Sequence, residues 1–203
     1  MDVAAAAGWA PQALAEAFFA GGATLVQIRA KQLDSGPFLE LCDAVVARGV
    51  SYGARVIVND RVDLAVLAGA AGAHIGQEDV SPAAARTQLG QNALLGYSTH
   101  TPEQVMAALA EPITYIAVGP VFGTRTKDTG YRAVGLDLVR TARRLAPRCP
   151  IVAIGGITLD TAPAVLEAGA TAVAIITDLV AHGDPAARVA SYNRLASRVP
   201  EVE

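Results

Sequence analysis

The sequence predicts a parallel α/β fold, a (β/α)8 TIM barrel whose first strand is short or missing in this chain. Three observations carry that expectation. Short β-branched runs alternate with amphipathic segments along the whole chain, which implies right-handed βα units. The runs are almost continuously apolar, as strands covered on both faces are. Polar residues collect just beyond the C-terminal end of each run, where a barrel brings them round one pocket.

Taken in order, only Met1–Trp9 precedes the first helix, and residues 3–7, mostly alanine, make at best a weak strand. Pro11–Ala20 reads as the first helix. Seven candidate strands follow: Thr24–Ile28, Arg55–Val58, Ala73–Gly76, Leu94–Tyr97, Tyr115–Val118, Ile151–Ile154 and Ala172–Ile176. Between them Phe38, Leu41, Val45 and Val46 recur at helical spacing, as do Val105, Met106 and Leu109, and Leu138, Val139, Ala142 and Leu145. Gly69-Ala70 and Gly169-Ala170 close helices where a left-handed residue is wanted. A closed barrel needs eight strands, and the eighth would have to precede Pro11. The open alternative is a doubly wound sheet with helices on both faces.

The chain of 203 residues, 52% hydrophobic and 17% charged, is expected to form one domain over residues 1–203. A net charge of −3 and the lack of basic runs argue against a nucleic-acid partner. No stretch approaches 18 apolar residues, so no membrane span is expected, and the Ala-rich start makes a poor signal peptide. Cys42 and Cys149 are isolated in sequence, which suits reduced thiols and a cytoplasmic location. Association between copies is left open.

The polar residues give the chemistry. Gln27, Arg29 and Lys31 alternate, so they point one way if the strand stays extended. Asn59 and Asp60 close the next strand, where they could also cap the helix that follows. Gln77, Glu78 and Asp79 end the third strand and Ser98 the fourth. The loop Gly119–Lys127 carries Thr124, Arg125, Thr126 and Lys127, hydroxyls and cations suited to oxyanions. Gly155-Gly156, then Thr177 and Asp178, complete the rim. Adjacent strands lie ~4.8 Å apart, so Asp60 and Asp79 can share one cation. Carboxylates without a His or Cys cluster suit Mg²⁺ with substrate phosphates. Together with Arg29, Lys31 and Lys127 this reads as a site for a diphosphate leaving group. Gly155-Gly156 lets backbone amides approach a second anion.

These segments resemble the ordered motifs of the thiamine-phosphate synthase family: Gln27-Ile28-Arg29-Ala30-Lys31, Val58-Asn59-Asp60-Arg61, His74-Ile75-Gly76-Gln77-Glu78-Asp79, Gly96-Tyr97-Ser98, Gly119-Pro120-Val121-Phe122 with Thr124-Arg125-Thr126-Lys127, and Ala153-Ile154-Gly155-Gly156-Ile157. The resemblance covers roughly residues 11–180 and implies a (β/α)8 barrel. It further implies that an aminopyrimidine diphosphate is joined to a thiazole phosphate with release of diphosphate. By the same resemblance Gln27, Ile28, Arg29, Ala30, Lys31, Asn59, Ser98 and Lys127 bind the pyrimidine diphosphate. Thr124, Arg125, Thr126, Gly156, Ile176 and Thr177 bind the thiazole phosphate, and Asp60 and Asp79 hold Mg²⁺. Catalytic roles fall to Lys127, Ser98, Arg29 and Lys31. The chain departs from the family pattern at the missing first strand, which ends in Thr-Asp. It departs again at Thr177, usually Ser, and at Ala30, often acidic.

No Ser-His-Asp set or Cys-His pair supports covalent catalysis. His74 is a pocket residue read as either a packing group or a base. An electron-rich aminopyrimidine can expel diphosphate and be captured by the thiazole nitrogen, so alignment and charge stabilisation suffice. The rival readings are a thiazole tautomerase, a sugar-phosphate isomerase and a non-catalytic regulatory binding protein.

Overall fold

The computed structural model describes residues 1–123 and 132–197. Its seven strands are β1 (Leu25–Ile28), β2 (Arg55–Asn59), β3 (Gly72–Ile75), β4 (Leu94–Thr99), β5 (Tyr115–Val118), β6 (Ile151–Ile154) and β7 (Ala172–Ala174). All pair in parallel, in the order β1 to β7 without reversal. A doubly wound sheet reverses its strand order at a switch point. The consecutive order therefore decides for the barrel-type curl.

The helices are α1 (Pro11–Ala20), α2 (Ser35–Ser51), α3 (Val62–Leu67), α4 (Pro82–Leu89), α5 (Pro102–Ala108), α6 (Gly135–Leu145), α7 (Ala162–Glu167), α8 (Thr177–Val180) and α9 (Pro185–Ala196). Several start on the same local chemistry. Proline stands at the first turn of α4, α5 and α9, where its missing N–H costs nothing. Ahead of it Ser81, Thr101 and Asp184 accept the N–H of Ala84, Gln104 and Ala187.

Outward-facing strand residues pack against the helices in two regions. Val26, Ile28, Val56, Val58, Ala73, Ile75 and Leu95 face outward and bury against α1 to α4. Ile116, Val118, Ile151 and Ala153 do the same beneath α5 to α7. Gly21, after α1, lies so close to α9 that a Cβ there would sit 2.4 Å from the Ala186 carbonyl oxygen. Asn193 of α9 donates to the Gly21 and Gly22 carbonyls. The last helix thus docks on the first, and the helical layer comes round although no pairing joins β7 to β1 among the described residues.

The expectation of a weak strand over residues 3–7 is corrected. Val3–Ala5 is a single 3-10 turn whose cap is the Asp2 carboxylate, accepting from Ala4 N. Among the described residues Asp2 makes an isolated bridge to Arg29, with Arg29 N–H bonded to the Met1 carbonyl and Val3 N–H to the Arg29 carbonyl. Alanine lacks the β-branched bulk that a strand packs, and a capping Asp favours a turn. Thr24, Ile175 and Ile176 also fall outside regular strand, the last because it turns directly into α8.

At the opposite end from the pocket, one device occurs twice. Arg86, in the last turn of α4, is buried and donates from Nε to the Pro112 carbonyl and from Nη1 to those of Gly90 and Ala93. Its Nη2 reaches Thr114 Oγ1, which itself accepts the Leu95 N–H. Arg143, in the last turn of α6, repeats this with the carbonyls of Gly169 and Pro147 and with Thr171 Oγ1, which accepts the Ile151 N–H. Each guanidinium satisfies carbonyls that a helix end and a strand entry would leave bare.

Candidate active site

Residues at alternate positions point inward and rise towards the carboxyl ends of the strands. Gln27 and Arg29, Asn59, His74, and Ser98 with His100 line one side of a single pocket. Tyr115, Ala117 and Gly119, then Ile154 and Gly156, then Ile176 and Thr177 line the other. Of the residues expected from sequence, Gln27, Arg29, Asn59, Ser98, Gly156, Ile176 and Thr177 are brought together here. Ile28 and Ala30 face the other way, into the core under the helices. Only their backbone can face a ligand, because their neighbours Gln27 and Arg29 take the pocket side. Thr124, Arg125, Thr126 and Lys127 lie outside the described residues.

Arg29 is held from the side. Its Nη1 donates to Asp2 Oδ2 at 2.5 Å, and Asp2 is 3% exposed. Among the described residues, Arg29 Nε is the buried side-chain nitrogen or oxygen without a hydrogen-bond partner. The guanidinium thus keeps one donor that Asp2 does not use.

The carboxylates stand on the rim above. Asp60 takes a left-handed backbone, φ 64°, with its N–H bonded to the His74 carbonyl. That conformation is uncommon outside glycine and concentrates at functional sites. The alternative reading of Asn59 and Asp60 as helix caps does not hold: Arg61 is the cap of α3, and no side-chain cap bond forms. Asp60 Oδ2 lies 3.1 Å from Lys31 Nζ. Asp79 accepts the Gly76 N–H at 2.7 Å. Its acidity is weakened by burial of the carboxyl and by the adjacent negative charge of Asp60, with the Gly76 bond and Lys31 opposing. Two carboxylates that repel each other beside one lysine offer the hard oxygens a cation would take. Among the described residues no group of three or more His, Cys, Asp or Glu gathers as a metal site.

Gly155 and Gly156 have φ of 105° and 63°. A Cβ on Gly156 would stand 2.6 Å from the Gly123 carbonyl oxygen, and one on Gly155 2.6 Å from Pro120. The pair therefore lets the loop after β5 lie flat on the end of β6, where Val121 and Phe122 N–H groups bond the Ile154 and Gly155 carbonyls.

Sequence reading missed Asp2, His100 and Tyr115. Alternation would have found two of them: His100 follows Gly96 and Ser98 by twos, and Tyr115 precedes Ala117 and Gly119. His100 Nδ1 lies 2.5 Å from the Gly119 carbonyl oxygen. Asp178, placed on the rim from sequence, instead points down into the joint between α8 and α9. It accepts two bonds from Arg188 and one from Tyr192. Burial alone would raise its pKa, but the Arg188 and Tyr192 bonds carry it below the ordinary carboxylate range. A depressed folded pKa adds stability above the unfolded value of ~4 and loses it as pH falls through the folded value. Asp178→Asn should thus lower Tm at pH 7 by roughly 3–12 °C, from ~1.5–3 kcal/mol for a charged hydrogen bond at ~2–4 °C per kcal/mol. The gap from wild type should narrow below about pH 4 in melts followed by circular dichroism. A gap independent of pH would sink this account.

Fold and pocket together define a parallel α/β barrel protein with a polar site at the carboxyl ends of its strands. Comparison with known proteins refines this. The family profile described as thiamine monophosphate synthase matches residues 6–179. A thiamine-phosphate synthase from Koribacter versatilis is 40% identical over 88% of this chain and 82% of its own. One from Thermus thermophilus is 41% identical over 88% and 86%. A solved thiamine phosphate pyrophosphorylase from Pyrococcus furiosus superposes with a TM-score of 0.85 at 28% identity, covering 94% and 91% of the two chains. The chain belongs to the thiamine monophosphate synthase family, and like its relatives it is an enzyme, a transferase of thiamine biosynthesis.

Proposed function

We propose that this chain, acting as one domain, couples an aminopyrimidine diphosphate to a thiazole phosphate and releases thiamine phosphate and diphosphate. The observation that carries the reading is the two-sided pocket. Gln27, Arg29, Asn59 and Ser98 stand on one wall and Gly156, Ile176 and Thr177 on the other, the arrangement that two ligands facing each other would need. The exocyclic C–O bond of the pyrimidine breaks and its electron pair leaves with diphosphate. The thiazole nitrogen lone pair then forms the new C–N bond. Arg29, Lys31 and Lys127 offset the charge that grows on the departing group, a contribution that counts only if it strengthens in the transition state. Asn59 and Gln27 orient the pyrimidine, and Gly156 with Thr177 and the Thr124–Thr126 segment holds the thiazole phosphate.

Asp60 and Asp79 fit Mg²⁺ by donor chemistry: two carboxylates, no soft ligand, and phosphate oxygens to complete the shell. When bound, the ion would neutralise diphosphate charge. Unpaired Cys42 and Cys149 suit a reducing cytoplasm, and no helix among the described residues is long and apolar enough to cross a membrane.

The test is a coupling assay on the purified chain with both substrates. Diphosphate and thiamine phosphate should appear in equal amounts, and only with both substrates and Mg²⁺ present. A folded protein that yields neither product overturns the reading.

A further inference from the structure

Three inward residues in one row across three strands form a contact that the coupling chemistry has not used. In the sheet register His74 of β3 pairs with Gly96 of β4, and Gly96 pairs with Tyr115 of β5. His74 Nδ1 lies 3.0 Å from Tyr115 Oη, and His74 Nε2 lies 2.9 Å from Ser98 Oγ, two residues along β4. All three side chains are buried. The imidazole and phenol rings lie 5.7 Å apart at 29°. This contact crosses directly over Gly96. A Cβ there would be 2.1 Å from Tyr115 Cζ, 2.3 Å from Tyr115 Oη and 2.4 Å from His74 Nδ1. Strand β4 thus carries no side chain at the one point where the two rings must meet.

We propose that His74 and Tyr115 are positioning residues that fix the direction in which the Ser98 hydroxyl points its proton. The proposal rests on the reading of Ser98 as a pyrimidine contact, and its first measurement does not. A neutral imidazole has one donor and one acceptor nitrogen, so engaging both sets a direction along the chain of bonds. In one sense Tyr115 O–H donates to Nδ1, and Nε2–H donates to Ser98 Oγ. Ser98 then keeps its own proton for the pocket. In the other sense Ser98 gives its proton to Nε2 and offers the ligand only lone pairs.

Donor strength selects the first sense. A phenol is a stronger donor and weaker acceptor than an aliphatic hydroxyl, so the imidazole lone pair belongs with Tyr115 and the N–H with Ser98. Burial pushes the Tyr115 hydroxyl well up and keeps it protonated, 3.0 Å from His74 Nδ1. The chain of donors therefore runs Tyr115, His74, Ser98. Ser98 is delivered as a donor aimed at an acceptor on the ligand, such as a ring nitrogen. A ligand presenting an N–H at that point would meet an occupied donor and be rejected, which makes the row a specificity device.

The direct test is the tautomer of His74 in the ligand-free protein, read by long-range ¹H–¹⁵N correlation and assigned by comparison with His74→Gln. The expected form has a proton on Nε2 and none on Nδ1. Tyr115→Phe keeps the ring and its packing, and should lose the single tautomer. In turnover, His74→Leu should lower kcat/KM for the pyrimidine diphosphate by roughly tenfold or more, the scale of one buried hydrogen bond left unmade, with KM for the thiazole phosphate unchanged. His74→Gln can still donate to Ser98 and should recover most of the loss. If His74→Leu does not fold, Tyr115→Phe carries the kinetic comparison with a smaller loss of the same kind. An Nδ1–H tautomer in the wild type, or a folded Tyr115→Phe with the wild-type tautomer and kinetics, overturns the proposal. A wild type that shows the expected tautomer without any coupling activity would overturn the proposed function and leave the hydrogen-bond direction standing.

Discussion

Replacing Asp60 or Asp79 by alanine should remove most magnesium-dependent turnover, by about two to three orders of magnitude, the scale of losing one electrostatic anchor of a transition state. Alanine offers no oxygen, and Mg²⁺ holds poorly to a site reduced to one carboxylate. Stability should move the other way for Asp79→Ala. Burial and the nearby Asp60 charge already make its ionised form unfavourable, so deleting it relieves repulsion. Asp60→Ala also vacates a left-handed backbone position that Asp tolerates better than Ala, and leaves Lys31 without its 3.1 Å partner. Turnover, Mg²⁺ dependence and thermal melts on each purified variant check this together. Wild-type turnover in both folded variants would dispose of the metal assignment.

Arg29→Gln should be nearly as damaging, through two separable effects. On turnover, kcat should fall along with affinity for the pyrimidine diphosphate, because charge develops on the leaving group as the bond breaks. Loss of affinity with unchanged kcat at saturation would reduce Arg29 to uniform binding. On stability, the variant takes the guanidinium from the buried Asp2 carboxylate, which keeps its bond from Ala4 N–H; breaking a buried pair from one side costs about 3–5 kcal/mol, and the partial exposure of Arg29 puts the expected cost at the lower end. The double variant Asp2→Asn with Arg29→Gln should regain much of the stability and none of the turnover. Recovery of turnover in the double variant would show that Arg29 matters only through its neighbour.

How far the sequence reaches is clearest residue by residue. Tyr115–Val118 and Ile151–Ile154 were legible to the residue, because short, wholly apolar runs between helical patterns admit few other readings. Residues 3–7 were misread because alanine carries almost no strand signal, and the Asp2 cap that makes a turn of them is visible only once Arg29 is in place. The rim residues stood out as polar side chains ending apolar runs. Tyr115 and Asp2 did not, since one opens a strand and the other precedes every element. Asp178 misled for a different reason: it follows a strand as the site residues do, yet one step of helix turns it away to Arg188. Local pattern locates strand ends, but which side of the chain a residue takes after the strand stops is set by the next helix.

The paired clips of Arg86 and Arg143 bear on how this molecule could be altered. Both fasten helix ends to strand entries at the base, and neither touches a residue that lines the pocket. The base behaves as a chassis and the rim as interchangeable tooling. Loops at the rim can therefore be exchanged for new acceptors without loosening the frame, and variants weakened by such exchange are best reinforced beneath the strands, where a stabilising change has no route to the chemistry.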